Sequence, residues 1–235
     1  MSTEINPRLH IRIEGDSWGC GVWDFVDLEY QNVHPGLQFF LEEAGFKVTN
    51  CSKPGIPLDE YFTSPIVDEN IIIVFLTDPL RSIDTSIFSS YSELVTANRI
   101  IQHQFFHKIG VDTSIETGFP IIVLGGCGKV DLGIMKKYKK FICEMPSILE
   151  FLYNDYKHPR VWFSDWIEGI DDRFSLEDLD LLLTDKKAQD SIQNGPYTEF
   201  TIPDGRHPNF EGYKKLADWI IPRLKHYESS LPRLL

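Results

Sequence analysis

Long apolar runs, paired cysteines and an excess of basic residues are all missing from this sequence of 235 residues. The longest uninterrupted apolar stretch, Ile71 to Leu76, falls far short of the ~20 residues that a membrane-spanning helix needs. No membrane partner is expected. Cysteine occurs four times, at Cys20, Cys51, Cys127 and Cys143, with no CxxC pair among them. That spacing supports neither a disulfide framework nor a zinc site, and it fits reduced thiols in a cytoplasmic protein. The opening residues Met1 to Pro7 hold neither a basic segment nor an apolar core, so no secretory signal is expected. Lys and Arg number 23 against 35 Asp and Glu, a net charge of −12. Binding to duplex nucleic acid rests on cations that neutralise phosphates, so no nucleic-acid partner is expected. No internal repeat or low-complexity tract is present.

Several nearly complete motifs also fail. His103 and His107 stand four apart, but His103-Gln104-Phe105-Phe106-His107 lacks the glutamate of HExxH. Gly125-Gly126-Cys127-Gly128-Lys129-Val130 has neither the spacing nor the ending of a phosphate-binding loop. Asp171-Asp172 and Asp178-Asp180 do not follow a calcium-loop order, and read as a solvated acidic face. No metal or organic cofactor is called for.

What is present is an alternation of strand-like and helix-like segments, the pattern of an α/β domain with a mainly parallel sheet. Leu9 to Ile13 alternates apolar and polar residues. Pro35 to Gly45 reads as a helix with Leu37, Phe40, Leu41 and Ala44 on one face and Gly45 as its stop. Phe46 to Val48 makes a short strand, and Ile71 to Leu76 a fully buried one. Leu94, Ala97, Ile101 and Phe105 recur at helical spacing within 86–108. Pro120 to Leu124 and Phe141 to Cys143 supply two more strands, and 209–225 a last helix with Leu216, Trp219, Ile220 and Leu224 on one face. The stretch 146–203 fits poorly. It is acidic, contains Trp162 and Trp166, and reads as an insertion of short helices and loops in a single domain spanning 1–235, with one helix from Ser175 to about Gln189.

Two short motifs lie near opposite ends of the chain. Gly15-Asp16-Ser17 follows the first strand, and Asp204-Gly205-Arg206-His207 precedes the last helix. A serine hydroxyl becomes nucleophilic when a neighbouring base takes its proton, and a carboxylate fixes that base's tautomer. Ser17, His207 and Asp204 can fill these three roles. Pro208 suits the first turn of the helix that follows. Asn50-Cys51-Ser52-Lys53-Pro54-Gly55 follows the second parallel strand, and Phe75-Leu76-Thr77-Asp78 ends the third.

With its motifs in these places the chain resembles the SGNH hydrolases, also called GDSL-type esterases or lipases. The resemblance implies a three-layer α/β/α sandwich with a flavodoxin-like sheet. It also implies a serine esterase acting through Ser17, His207 and Asp204, with an oxyanion hole formed by Ser17, Gly55 and the residue at position 77. Where the family has GxND this chain has Phe75-Leu76-Thr77-Asp78, so Phe75 and Thr77 replace the glycine and asparagine. Thr77 is then either a hydroxyl donor to the oxyanion or a strand-end cap. Trp18 and Trp23 line a pocket or fill the core. The expected substrate is a small ester or one carried on a carbohydrate, such as an O-acetyl group. The alternative is a non-catalytic binding module that keeps the fold with a degenerate oxyanion hole.

Overall fold

The computed structural model describes residues 9–26, 29–81, 83, 87–112, 120–126, 130–153, 199–201 and 207–230. Most of the acidic stretch, with Trp162, Trp166, the acidic pairs and the expected helix from Ser175, lies outside the described residues, as do Asp204, Cys127 and the tail after 230.

Five parallel strands form the centre: β1 (His10–Glu14), β4 (Lys47–Asn50), β5 (Ile71–Leu76), β6 (Ile121–Gly125) and β7 (Phe141–Met145). Their order is β4-β1-β5-β6-β7, and all four pairings are parallel. Counted within this sheet, the order is 2-1-3-4-5, the flavodoxin-like arrangement. The β5 strand is central, and all six of its residues are fully buried. Ile71, Ile73 and Phe75 pack into one core and Ile72, Val74 and Leu76 into the other. An unbroken apolar run is the sequence form of a strand covered on both faces.

The first core is closed by α2 (Leu37–Glu43), α5 (Ile148–Leu152) and the long α6 (Phe210–Ser230). The second is closed by α3 (Tyr91–Val111) and α4 (Leu132–Met135). Sheet and helices thus form the three layers expected. No described helix is long and apolar enough to cross a membrane. The inward side of α3 differs from a purely apolar stripe. Asn98 and Gln102 are buried, and Gln102 donates to Asn98 and accepts from the Asp131 backbone N–H. Their partners supply the bonds that burial removes from water.

One element departs from the expected alternation. Val22–Val26 (β2) and Glu29–His34 (β3) form an antiparallel hairpin beside the main sheet. Polar residues interrupt both strands, and no buried face marks them in the sequence. The last helix also starts later than expected. Asn209 is its N-cap, its side-chain oxygen accepting from the Gly212 N–H at 2.9 Å. Pro208 lies outside the first turn, in an isolated antiparallel bridge with Thr201.

In a sheet of this order, ligands bind beyond the carboxyl ends of the strands, where the chain's winding reverses. Here that point lies between β1 and β5. Gly15 to Ser17 leaves β1 there, and Thr77 to Arg81 leaves β5 beside it.

Candidate active site

The nucleophile turn is built by contacts rather than by sequence preference alone. A Cβ on Gly15 would lie 2.9 Å from the Cβ of Phe75, so only glycine passes between β1 and β5 at this level. Asp16 then caps the single-turn helix α1 (Ser17–Cys20), its Oδ1 accepting from the Trp18 N–H at 3.0 Å. Ser17 is the first residue of that turn, where backbone N–H groups have no intrahelical acceptor. Gly19 packs against Ser52, whose Oγ would be 2.1 Å from a Cβ placed at Gly19. Asn50 ties the two segments by donating to the Gly19 carbonyl, and Lys53 N–H donates to the Gly15 carbonyl.

Across this turn, the Ser17 Oγ lies 2.8 Å from His207 Nε2. The residues are 190 positions apart. The imidazole sits near Trp18, with ring centroids 5.7 Å apart. The Tyr213 hydroxyl donates to the Trp18 carbonyl at 2.6 Å and reaches the Gly21 carbonyl at 3.1 Å. These bonds fasten α6, and the His207 segment preceding it, to the nucleophile turn. Trp18 is buried in the core. Trp23 packs at its edge and donates from its indole to the Ser17 carbonyl at 2.8 Å. Both readings of the tryptophans therefore resolve mainly into packing.

Asp16 is fully buried and is the hub of the β1–β5 junction. Its Oδ2 accepts from the Thr77 hydroxyl at 2.7 Å and from Arg81 Nη2 at 3.1 Å. Thr77 has one hydroxyl proton, and that proton goes to Asp16. The expectation of Thr77 as an oxyanion donor therefore meets a different geometry, because a buried carboxylate is the stronger acceptor. Asp78, beside it, is pushed above the usual carboxylate range by burial, offset in part by the Leu80 N–H and the Arg81 guanidinium. Gly55 has a φ of +73°, a backbone region that favours glycine. The nearest atom to a Cβ placed there is Arg81 Nη1, at 3.7 Å. Arg81 and Tyr213 are the site neighbours that sequence reasoning missed. A signal for Arg81 existed, an arginine three residues past the aspartate that ends Phe75-Leu76-Thr77-Asp78.

Among the described residues, the other groups that could do chemistry have structural roles. Burial, reinforced by the Asp16 charge, pushes the Cys20 thiol up to about 12, so it is no competing nucleophile at neutral pH. His103 and His107 stack on the exposed side of α3. His10, Asp68 and Glu69 bring ligand atoms within 4.8 Å of one another, at the amino end of β1, away from Ser17. Lys47 Nζ is 2.8 Å from Asp68, Arg12 is 3.6 Å from Glu69, and Glu69 also accepts two backbone N–H bonds. Those cations and donors already satisfy the carboxylates, and the group is an ion-pair network.

No protein-family model and no curated protein sequence matches the chain. Solved structures similar to it include the following three. One is a carbohydrate esterase with divergent catalytic and non-catalytic binding functions at its active site, at 10% identity and a TM-score of 0.49. Another is an active-site mutant of a family two carbohydrate esterase from Clostridium thermocellum, bound to a cello-oligosaccharide, at 10% identity and a TM-score of 0.41. The third is a Bacillus subtilis protein, at 15% identity and a TM-score of 0.40. Each match covers 94–95% of this chain, which spans 65% of the first two chains and 57% of the third. At these identities and TM-scores the likeness decides nothing about the side chains of the site.

Proposed function

We propose that this chain is a serine esterase that hydrolyses a carboxylic ester by acyl transfer. The observation that carries this reading is the 2.8 Å approach of Ser17 Oγ to His207 Nε2. That separation is within the hydrogen-bond reach required of a nucleophile and its base. In the proposed reaction the neutral imidazole of His207 accepts the Ser17 proton as Oγ bonds to the ester carbon. The carbonyl electron pair moves onto oxygen. Collapse of that oxyanion expels the alkoxide, which takes the proton back from His207. Water, deprotonated by the same imidazole, then releases the acid and restores Ser17.

Asp204, three residues before His207, is assigned to hold the imidazole's other nitrogen. The backbone N–H groups of Ser17 and Gly55 are assigned to the oxyanion, and Thr77 is assigned to hold Asp16. The substrate class is a small or carbohydrate-borne ester such as an O-acetyl group. A cytoplasmic location, read from the scattered thiols, belongs to the same proposal.

The test is active-site labelling beside turnover. A fluorophosphonate probe should label the wild-type protein at Ser17, and Ser17→Ala should abolish that labelling. Hydrolysis of p-nitrophenyl acetate should fall by at least about 10³ in Ser17→Ala and comparably in His207→Ala, with little further loss in the double variant. Absence of labelling and turnover in folded wild-type protein would leave the non-catalytic binding module as the reading.

A further inference from the structure

We infer that Arg81 is a catalytic residue of this site, its guanidinium standing in for the missing asparagine as the side-chain donor to the oxyanion. The inference rests on the esterase reading above and deepens it.

Three observations converge on this side chain. Thr77, which occupies the position of that asparagine, gives its hydroxyl proton to Asp16. The same carboxylate oxygen holds Arg81 Nη2 at 3.1 Å, and Asp16 immediately precedes the nucleophile. The other terminal nitrogen, Nη1, is the atom nearest to where a Cβ would project from Gly55. One guanidinium is therefore bonded to the residue before the nucleophile and lies beside the glycine loop, the two segments whose N–H groups are assigned to the oxyanion. Its side chain is 28% exposed, whereas the Asp16 carboxylate that it holds is buried.

A guanidinium suits this position physically. Its planar fork lets one nitrogen be held by a carboxylate while the other keeps a fixed direction. Anchoring by Asp16 fixes the donor before the reaction, so little reorganisation is needed when charge develops. An ester carbonyl is neutral in the ground state and becomes an alkoxide in the tetrahedral intermediate. A nearby cation is therefore felt mainly after the Ser17 Oγ–carbon bond begins to form, which places its contribution in kcat rather than KM. Among the described residues, Asp16 faces Arg81 through the ion pair, and Arg81 pulls the Asp78 carboxyl down against the effect of burial. Lysine cannot do the same work. A single ammonium can sit on Asp16 or turn to the Gly55 side, but it lacks a second rigid arm to span both.

The experiment is steady-state hydrolysis of p-nitrophenyl acetate by purified wild-type, Arg81→Ala and Arg81→Lys proteins, each with a melting curve and fluorophosphonate labelling of the wild type. Arg81→Ala should lose about 10²–10³ in kcat with KM little changed, the scale of one missing oxyanion donor. Added guanidinium ion at millimolar concentration should restore part of that kcat, and it should do nothing for Ser17→Ala. Arg81→Lys retains a cation for Asp16. It should fold and still lose at least about tenfold in kcat, so it decides the matter if Arg81→Ala does not fold.

Full kcat in folded Arg81→Ala, or in Arg81→Lys where the alanine variant is unfolded, overturns the assignment while labelled Ser17 keeps the esterase reading. A loss confined to KM, without rescue by guanidinium, also overturns it and makes Arg81 a ground-state binding group. A wild type that neither labels nor turns over removes both readings together.

Discussion

At the scale of single residues, Asp16 explains more of the site than the nucleophile beside it. One of its oxygens caps the turn that presents Ser17, and the other gathers Thr77 and Arg81. Thr77 was legible in the sequence as the replacement for an asparagine, but its partner was not. A hydroxyl at that position has two plausible destinations, and the choice depends on a buried carboxylate 61 positions earlier in the chain. Thr77→Val tests the assignment. Removing a donor to a buried anion should destabilise the fold by about 1–3 kcal/mol, measured as a lower urea midpoint. Its turnover should stay well above that of Arg81→Ala, because Val leaves the Arg81–Asp16 contact in place. A larger loss of turnover than in Arg81→Ala would return the oxyanion role to Thr77.

At the scale of elements, the parallel strands were the most legible part. Ile71 to Leu76 is a strand over the whole expected range, because a run with no polar residue has nowhere to go but the middle of a sheet. The hairpin β2–β3 was not legible, since its strands carry no period that separates a buried face. Short pieces such as α1 owe their form to neighbours, chiefly the Asp16 cap and the pressing of Gly19 against Ser52. That close approach is open to test. Gly19→Ala places a Cβ 2.1 Å from Ser52 Oγ and 2.9 Å from Ser52 Cβ. The turn must shift, so both melting temperature and esterase turnover should fall. Ser52→Gly removes both atoms and should recover a large part of each loss in the double variant, the coupling expected of residues in direct contact. Purely additive effects would show that Gly19 is needed for its backbone alone.

At the scale of the molecule, the unexpected feature is an ionic core beneath the sheet. His10, Arg12 and Glu14 alternate with Leu9, Ile11 and Ile13, a pattern that ordinarily marks a strand wet on one face. Here both faces are buried. Arg12 bonds to Glu14, to the Ser64 and Pro65 carbonyls and to the Ser64 hydroxyl, so the loop between β4 and β5 is held over the strand by its guanidinium. Removing one partner of a buried pair leaves an uncompensated charge, and Arg12→Ala should cost about 3–5 kcal/mol. The pH dependence has a definite sign. Burial raises the Glu14 carboxyl above its ordinary value of 4.5, and Arg12 pulls it back. A raised folded pKa contributes stability at low pH that is lost as pH rises, because the unfolded chain gives up its proton first. Without Arg12 that loss is larger. The gap in melting temperature between wild type and Arg12→Ala should therefore widen between about pH 5 and pH 8. A gap that narrows over this interval would mean that Glu14 is not the group left unpaired.

The sequence by itself determined the parallel α/β architecture, the order of its main strands and helices, and the two motifs that carry Ser17 and His207. Apolar periodicity and glycine placement are local properties, and a chain states them without folding. Tertiary structure alone decided that Ser17 and His207 meet, that Thr77 turns to Asp16, that Arg81 reaches the Gly55 loop, and that the polar half of β1 is buried. Each of these depends on which distant segment supplies the nearest acceptor or covers a face. Contacts of that kind exist only after the sheet has closed around β1 and β5.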